Sequence, residues 1–196
     1  MTKKGLIQQY VAKKIYLLSH AESSSSKAML ANLRHGVGKA PGEDPILWGL
    51  FLEDAPEEMY SIDNYSGEPS KEEWAVYLAL TLFAVHSQGS SSAVQSDGIS
   101  IGKAAAKLMK TNTDDERSRI IRRFTPIVTA DDMAGLSYHL RNFIQLLKSA
   151  GITLDYIKLA GDIYDFQFEN SRKNVQLRWG RDFYETNNRV NEDKGE

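Results

Sequence analysis

Apolar residues return at intervals of three and four along nearly the whole chain, and no alternating β-branched runs bounded by turn pairs interrupt them. The pattern predicts an all-α protein, a compact bundle of about nine helices, over roughly 4–21, 27–35, 45–53, 70–87, 100–110, 114–124, 130–149, 153–168 and 173–186. The clearest stripe lies in TADDMAGLSYHLRNFIQLLKSAG, where Met133, Leu136, Leu140, Phe143 and Leu147 follow a 3-4-3-4 spacing. Thr113 with Glu116 and Thr129 with Asp132 read as N-caps followed by an acid at the third helical position, and Gly151 as a helix-ending glycine.

Two polar stretches break the period: SSSS at 23–26 and SQGSSSAVQSDG at 87–98. The second is expected to be a mobile loop, dividing a single all-helical domain over 1–196 into sub-bundles 1–86 and 99–196. No internal repeat is evident.

In QLRWGRDFYE, residues 176–185, Val175, Trp179 and Phe183 share one side of a helix, with Leu177, Tyr184 and Gly180 extending the same broad sector. That sector is expected to be buried, with Gly180 admitting a close neighbouring helix. Arg178 and Arg181 are expected at the surface, each with an acid four residues on, Asp182 and Glu185.

With 196 residues, 41% of them hydrophobic, the chain can bury one substantial core. No apolar run approaches the ~18–20 residues that span a bilayer, and the N-terminal stretch lacks the pattern of a secretory signal, so a cytosolic protein with no membrane partner is expected. The absence of cysteine removes disulfides, thiolate metal sites and cysteine nucleophiles. His20, His35, His86 and His139 show no metal-ligand spacing, so neither a metal nor another cofactor is expected. There is no phosphate-binding glycine loop and no nucleophile elbow. The acid pairs Asp114-Asp115 and Asp131-Asp132 open helices, where the macrodipole favours them, so no catalytic residue is expected.

The net charge of −2 conceals two poles. Residues 1–39 carry seven Lys/Arg against one acid, whereas residues 40–75 carry ten acids against Lys71 alone. The acidic segment is expected to face away from any polyanion. Two later segments are locally basic. Lys103, Lys107 and Lys110 fall at i, i+4 and i+7 opposite Ile101, Ala105 and Leu108, a ridge that reads either as a solvated face or as a phosphate-facing one. In TDDERSRIIRRF, Arg119 has Asp115 and Glu116 within reach for an intrahelical pair, whereas Arg122 and Arg123 have no acid three or four residues away. Their forked guanidiniums suit phosphate contacts, and simple solubility is the competing reading.

The blocks LRHGVGKAPGEDPILWGLF (33–51), GISIGKAAAKL (98–108), IRRFTPIVTADDMAGLSYHLRNFIQLLKSAGITLDY (121–156) and LRWGRDFYE (177–185), in this order and length, together resemble the CasB family, small subunits of the type I-E CRISPR effector complex Cascade. The resemblance implies an all-helical, non-catalytic subunit present in two copies along an RNA-guided complex, beside the guide-RNA backbone protein and the large subunit. It implies contact with guide RNA, target DNA and the displaced non-target strand. Within the matching blocks it carries nucleic-acid binding onto Arg34, Lys39, Lys103, Arg122, Arg123, Arg141, Arg178 and Arg181; Lys107 and Lys110 are added on charge geometry alone. The net-acidic total departs from the basic character expected of such a subunit. A helical adaptor whose basic faces bind acidic proteins is the alternative reading, and a hydrolase with an unrecognised acid pair the third.

Overall fold

A computed structural model describes residues 1–20, 24–59, 68–110 and 113–192. Nine α-helices occur among them: α1 Lys3–His20, α2 Ser24–Gly36, α3 Trp48–Leu52, α4 Lys71–Ser87, α5 Ile101–Lys107, α6 Asp114–Val128, α7 Met133–Ala150, α8 Tyr156–Phe166 and α9 Glu169–Glu192, with short 3-10 turns at Pro45–Leu47 and Glu57–Met59. No described helix is long and apolar enough to cross a membrane.

The centre is α4, whose sequence KEEWAVYLALTLFAVHS is apolar on every side, so that Ala75 through Ala84 are all buried. A capping box starts it: Ser70 accepts from the Glu73 amide, and the Glu73 carboxylate accepts from the Ser70 amide. Helices α1, α2, α7 and α8 pack around it. One continuous core runs from Ile7 on α1 to Phe183 on α9.

The C-terminal half is built on α9. Its closest packing partner is α5, and the reason is Gly102: a β-carbon there would lie 2.0 Å from the Trp179 carbonyl oxygen. The glycine that permits the close approach therefore sits on α5. Gly180, expected in that role, has no neighbouring atom within 4 Å of where its β-carbon would be. Helix α6 lies between α7 and α9, held by Phe124, whose ring centroid is 5.2 Å from Phe183 and 6.1 Å from Phe143.

Several boundaries differ from the sequence expectation for identifiable reasons. Ser24–Ser26 belong to α2, with Ser26 buried. Helix α5 ends at Lys107, so Lys110 lies beyond it and the three lysines form no helical ridge. Helix α6 continues through Pro126, which only leaves the Arg122 carbonyl without its usual amide donor. The Thr113 cap forms as expected, whereas Thr129 ends α6 and Asp132 caps α7 by accepting from the Gly135 amide. The loop expected to be mobile is pinned at its far end. Asp155 accepts from the Gly98 amide and the Gln95 side chain, and Gln95 in turn accepts from the Tyr156 amide.

Two outcomes test this packing. Gly102→Ala should destabilise by roughly 3 kcal/mol, the upper end of overpacking costs, because backbone must move; Gly180→Ala should be neutral or stabilise by about 0.5–1 kcal/mol through helix propensity. Urea unfolding of both variants reads the difference.

His86 supplies a pH test. It is 2% exposed and hydrogen-bonded through Nδ1 to the Tyr156 hydroxyl at 2.8 Å. Burial, with the nearby Lys148 charge adding to it, pushes its pKa down to about 4 from 6.5. The unfolded chain therefore takes up this proton first as pH falls, so stability should decline between pH 6.5 and 4, by up to about 3 kcal/mol from this group. Comparing urea midpoints of the native chain and His86→Gln at pH 7 and pH 4 should show a shallower acid loss in the variant.

Candidate nucleic-acid interface

Helix α6 is strongly two-sided. Ile120, Phe124 and Ile127 enter the core, while Arg119, Arg122 and Arg123 occupy the opposite side and are exposed, sharing a face with Pro126 at i, i+3, i+4 and i+7. Helix α7 repeats the arrangement. With Leu136, Leu140, Phe143, Ile144 and Leu147 buried, Tyr138, Asn142, Gln145 and Ser149 form a polar stripe at i, i+4, i+7 and i+11.

The two polar faces border one open groove with a cavity volume of about 690 Å³, floored by the buried Ile120 and Phe143 and lined also by Leu108 and Lys110. One wall carries the three arginines, the other Tyr138, His139 and Asn142. Tyr138 is 64% exposed, and its ring meets that of His139 edge-on at 5.3 Å. Among the described residues, none of the three arginines has a carboxylate within 4 Å in an ion pair. Arg119 was expected to be held by Asp115 or Glu116 and is not; Glu116, the acid in the groove's lining, is almost fully buried in the first turn of α6.

The remaining candidates fall into other places. Arg141 leaves α7 on the flank of the groove stripe and lies over the turn after α2, its Nη1 3.3 Å from where a β-carbon on Gly38 would be. This brings it beside the end of α2, which carries Arg34, and the turn after it, which carries Lys39. Lys39 is engaged there, donating to Asp44 at 2.8 Å. Lys103 donates to the Gly98 carbonyl at 3.0 Å, leaving Lys107 as the exposed cation of α5.

On α9 the expected division of faces is only half right. Val175, Trp179 and Phe183 are buried, but Leu177 and Tyr184 are 52% and 48% exposed, so the buried sector is a narrow stripe. Arg178 does not pair with Asp182, whose carboxylate instead accepts from the Ser100 hydroxyl. It reaches to α8 and donates to Asp162 at 2.6 Å, while the Trp179 indole N–H donates to the other oxygen of the same carboxylate at 2.8 Å. Burial raises the Asp162 pKa, and the hydrogen bond from Trp179 and the charge of Arg178 oppose that rise. Arg178 thus neutralises a buried acid, and Arg181 remains exposed. No group of three His, Asp or Glu side chains suited to a metal ion occurs among the described residues.

The sequence pointed to Arg122 and Arg123 and missed their companions. Arg119 reads in sequence as paired within its own helix, and the strong apolar stripe of α7 masks the polar stripe on its other side. The spacing of Tyr138, Asn142, Gln145 and Ser149 was the available signal.

The family of CRISPR-associated protein Cse2 has a model that matches residues 29–184, a span containing every candidate above from Arg34 to Arg181. Among solved structures, CasB from Thermobifida fusca is 28% identical and superposes with a TM-score of 0.72, covering 92% of this chain and 97% of that one. CasB of M. ruber, 23% identical with a TM-score of 0.64 over 95% and 97% of the two chains, shares the fold. Comparison with curated proteins gives no match.

The Asp162 clamp separates two arginines that sequence treats alike. Arg178→Ala should lower stability by about 1–3 kcal/mol, less than the 3–5 kcal/mol of a fully buried pair because Arg178 is 38% exposed and Trp179 still donates. Arg181→Ala should stay within about 0.5 kcal/mol of the native chain. Thermal unfolding of the two variants side by side checks this.

Proposed function

This chain belongs to the Cse2 (CasB) family, whose members are subunits of the CRISPR Cascade complex, and we propose that within that complex it is a non-catalytic nucleic-acid-binding subunit that stabilises the R-loop. In this reading it contacts guide RNA, target DNA or the displaced strand through its basic surfaces during antiviral defence. The observation that carries the proposal is the α6–α7 groove, where Arg119, Arg122 and Arg123 face solvent together with no ion-pair partner among the described residues. Guanidiniums left free in a concave, polar-walled site favour phosphate. An R-loop exchanges one duplex for another of similar stability, so a few backbone contacts are enough to tip it. Arg34, Arg141, Lys107 and Arg181 offer further cationic surface. Arg178, Lys39 and Lys103 are committed to partners within the fold and contribute less.

The acidic segment supports a different kind of neighbour. Leu17, Met29 and Ile46 stand exposed around an apolar hollow rimmed by Glu53 and Asp54, with Trp48 half exposed beside it. Asp54 is already paired with Lys13, and what the hollow offers is exposed apolar surface rather than free cations for a phosphate backbone. An exposed apolar surface with a mixed-charge rim suits a protein, so the guide-RNA backbone protein, the large subunit or a second copy of the chain is the partner proposed for this end.

The decisive test assembles Cascade with Arg122→Ala/Arg123→Ala in this subunit. Target-DNA binding should weaken by about 1–3 kcal/mol, with a shallower dependence on salt because fewer counterions are released. The isolated variant should unfold at the native temperature, since both side chains are exposed. Unchanged affinity and salt slope would rule the groove out.

A further inference from the structure

The two walls of the groove are chemically different, and phosphate binding uses only one of them. Opposite the three arginines, Tyr138 presents an open ring face, 64% exposed, with its edge-on contact to His139 fixing the ring's neighbour on one side. Asn142, on the next turn of α7, is exposed and has no hydrogen bond to protein among the described residues. Tyrosine costs little when ordered against a flat partner and is exposed here without a packing role. A cavity of about 690 Å³ falls in the roughly 300–1,000 Å³ range of sites that receive a small molecule, room for one nucleotide.

We propose that the α6–α7 groove binds an unpaired nucleotide of a single strand, its base stacked on Tyr138 and its edge within reach of Asn142, while Arg119, Arg122 and Arg123 hold the flanking phosphates. This rests on the phosphate-binding reading of the same groove and narrows it to a substrate class. In a duplex each base face is covered by its neighbours, so an aromatic platform can serve only a strand whose bases are unstacked. Stacking of this kind tolerates any base, which fits a subunit that must act on every target sequence.

The test uses the full chain, a fluorescent oligo-dT and an abasic oligomer of the same length, titrated by anisotropy at several salt concentrations. The phosphates are the same in both oligomers and only the bases differ. Tyr138→Ala should weaken oligo-dT binding by roughly 5- to 150-fold, the range for losing one base–aromatic stack, with an unchanged salt slope because no phosphate contact is lost. Tyr138→Phe should bind as the native chain does, and the abasic oligomer should bind native and Tyr138→Ala proteins equally. Native affinity in Tyr138→Ala, or an equal loss with the abasic oligomer, would overturn stacking while leaving the phosphate reading intact. Failure of the native chain to bind either oligomer would overturn both. The melting temperature of Tyr138→Ala should match the native value, and a large drop would make the ring structural and end the proposal.

Discussion

The carboxylate of Asp162 sits in the interior between α8 and α9, 3% exposed, and the rest of the C-terminal half is arranged around meeting its needs. An ionised acid in that position is costly unless charge and hydrogen bonds reach it, and Trp179 and Arg178 supply both from consecutive positions of α9. Those two bonds fix the rotation of α9 about its axis. With Trp179 turned inward, its carbonyl faces α5, which only Gly102 can accommodate, and Phe183 one turn later meets Phe124. Helix α6 is thereby oriented with its arginines outward, and the groove against α7 follows.

The electrostatic organisation is equally a matter of which charges the fold consumes. The five ion pairs among the described residues use Lys3, Lys4, Lys13, Lys39 and Arg178, four of them in the first fifth of the chain. Three of these, Lys3, Lys13 and Lys39, meet acids of the 40–75 segment from the basic N-terminal stretch, so the two poles seen in sequence partly neutralise each other. Lys14 is buried and donates to the Glu53 carbonyl, and burial lowers its pKa. Among the described cations without an ion pair, Arg119, Arg122 and Arg123 share one exposed face of α6, far along the chain from the N-terminal excess. A net charge of −2 is therefore compatible with a local cationic groove.

Helix identity and the core stripes were legible in the sequence because both arise from local rules: a 3.6-residue period, and caps that act within four residues. The α7 stripe, the Thr113 cap and the Gly151 terminus all came from spacing alone. The all-α class, the family resemblance and the exposure of Arg122, Arg123 and Arg181 were equally accessible, since a polar position opposite an apolar stripe has nowhere else to point. Tertiary structure decided everything that depends on a partner distant in sequence. It took Arg178 from Asp182 and gave it to Asp162, sixteen residues away, because the buried Asp162 needs a guanidinium whereas Asp182 is already hydrogen-bonded by Ser100. It left Leu177 and Tyr184 outside, since α9 is contacted along only one narrow side. It placed the close-approach glycine on α5 and set Tyr138 across from Arg119, Arg122 and Arg123, two pairings between helices that no periodicity within a single helix records.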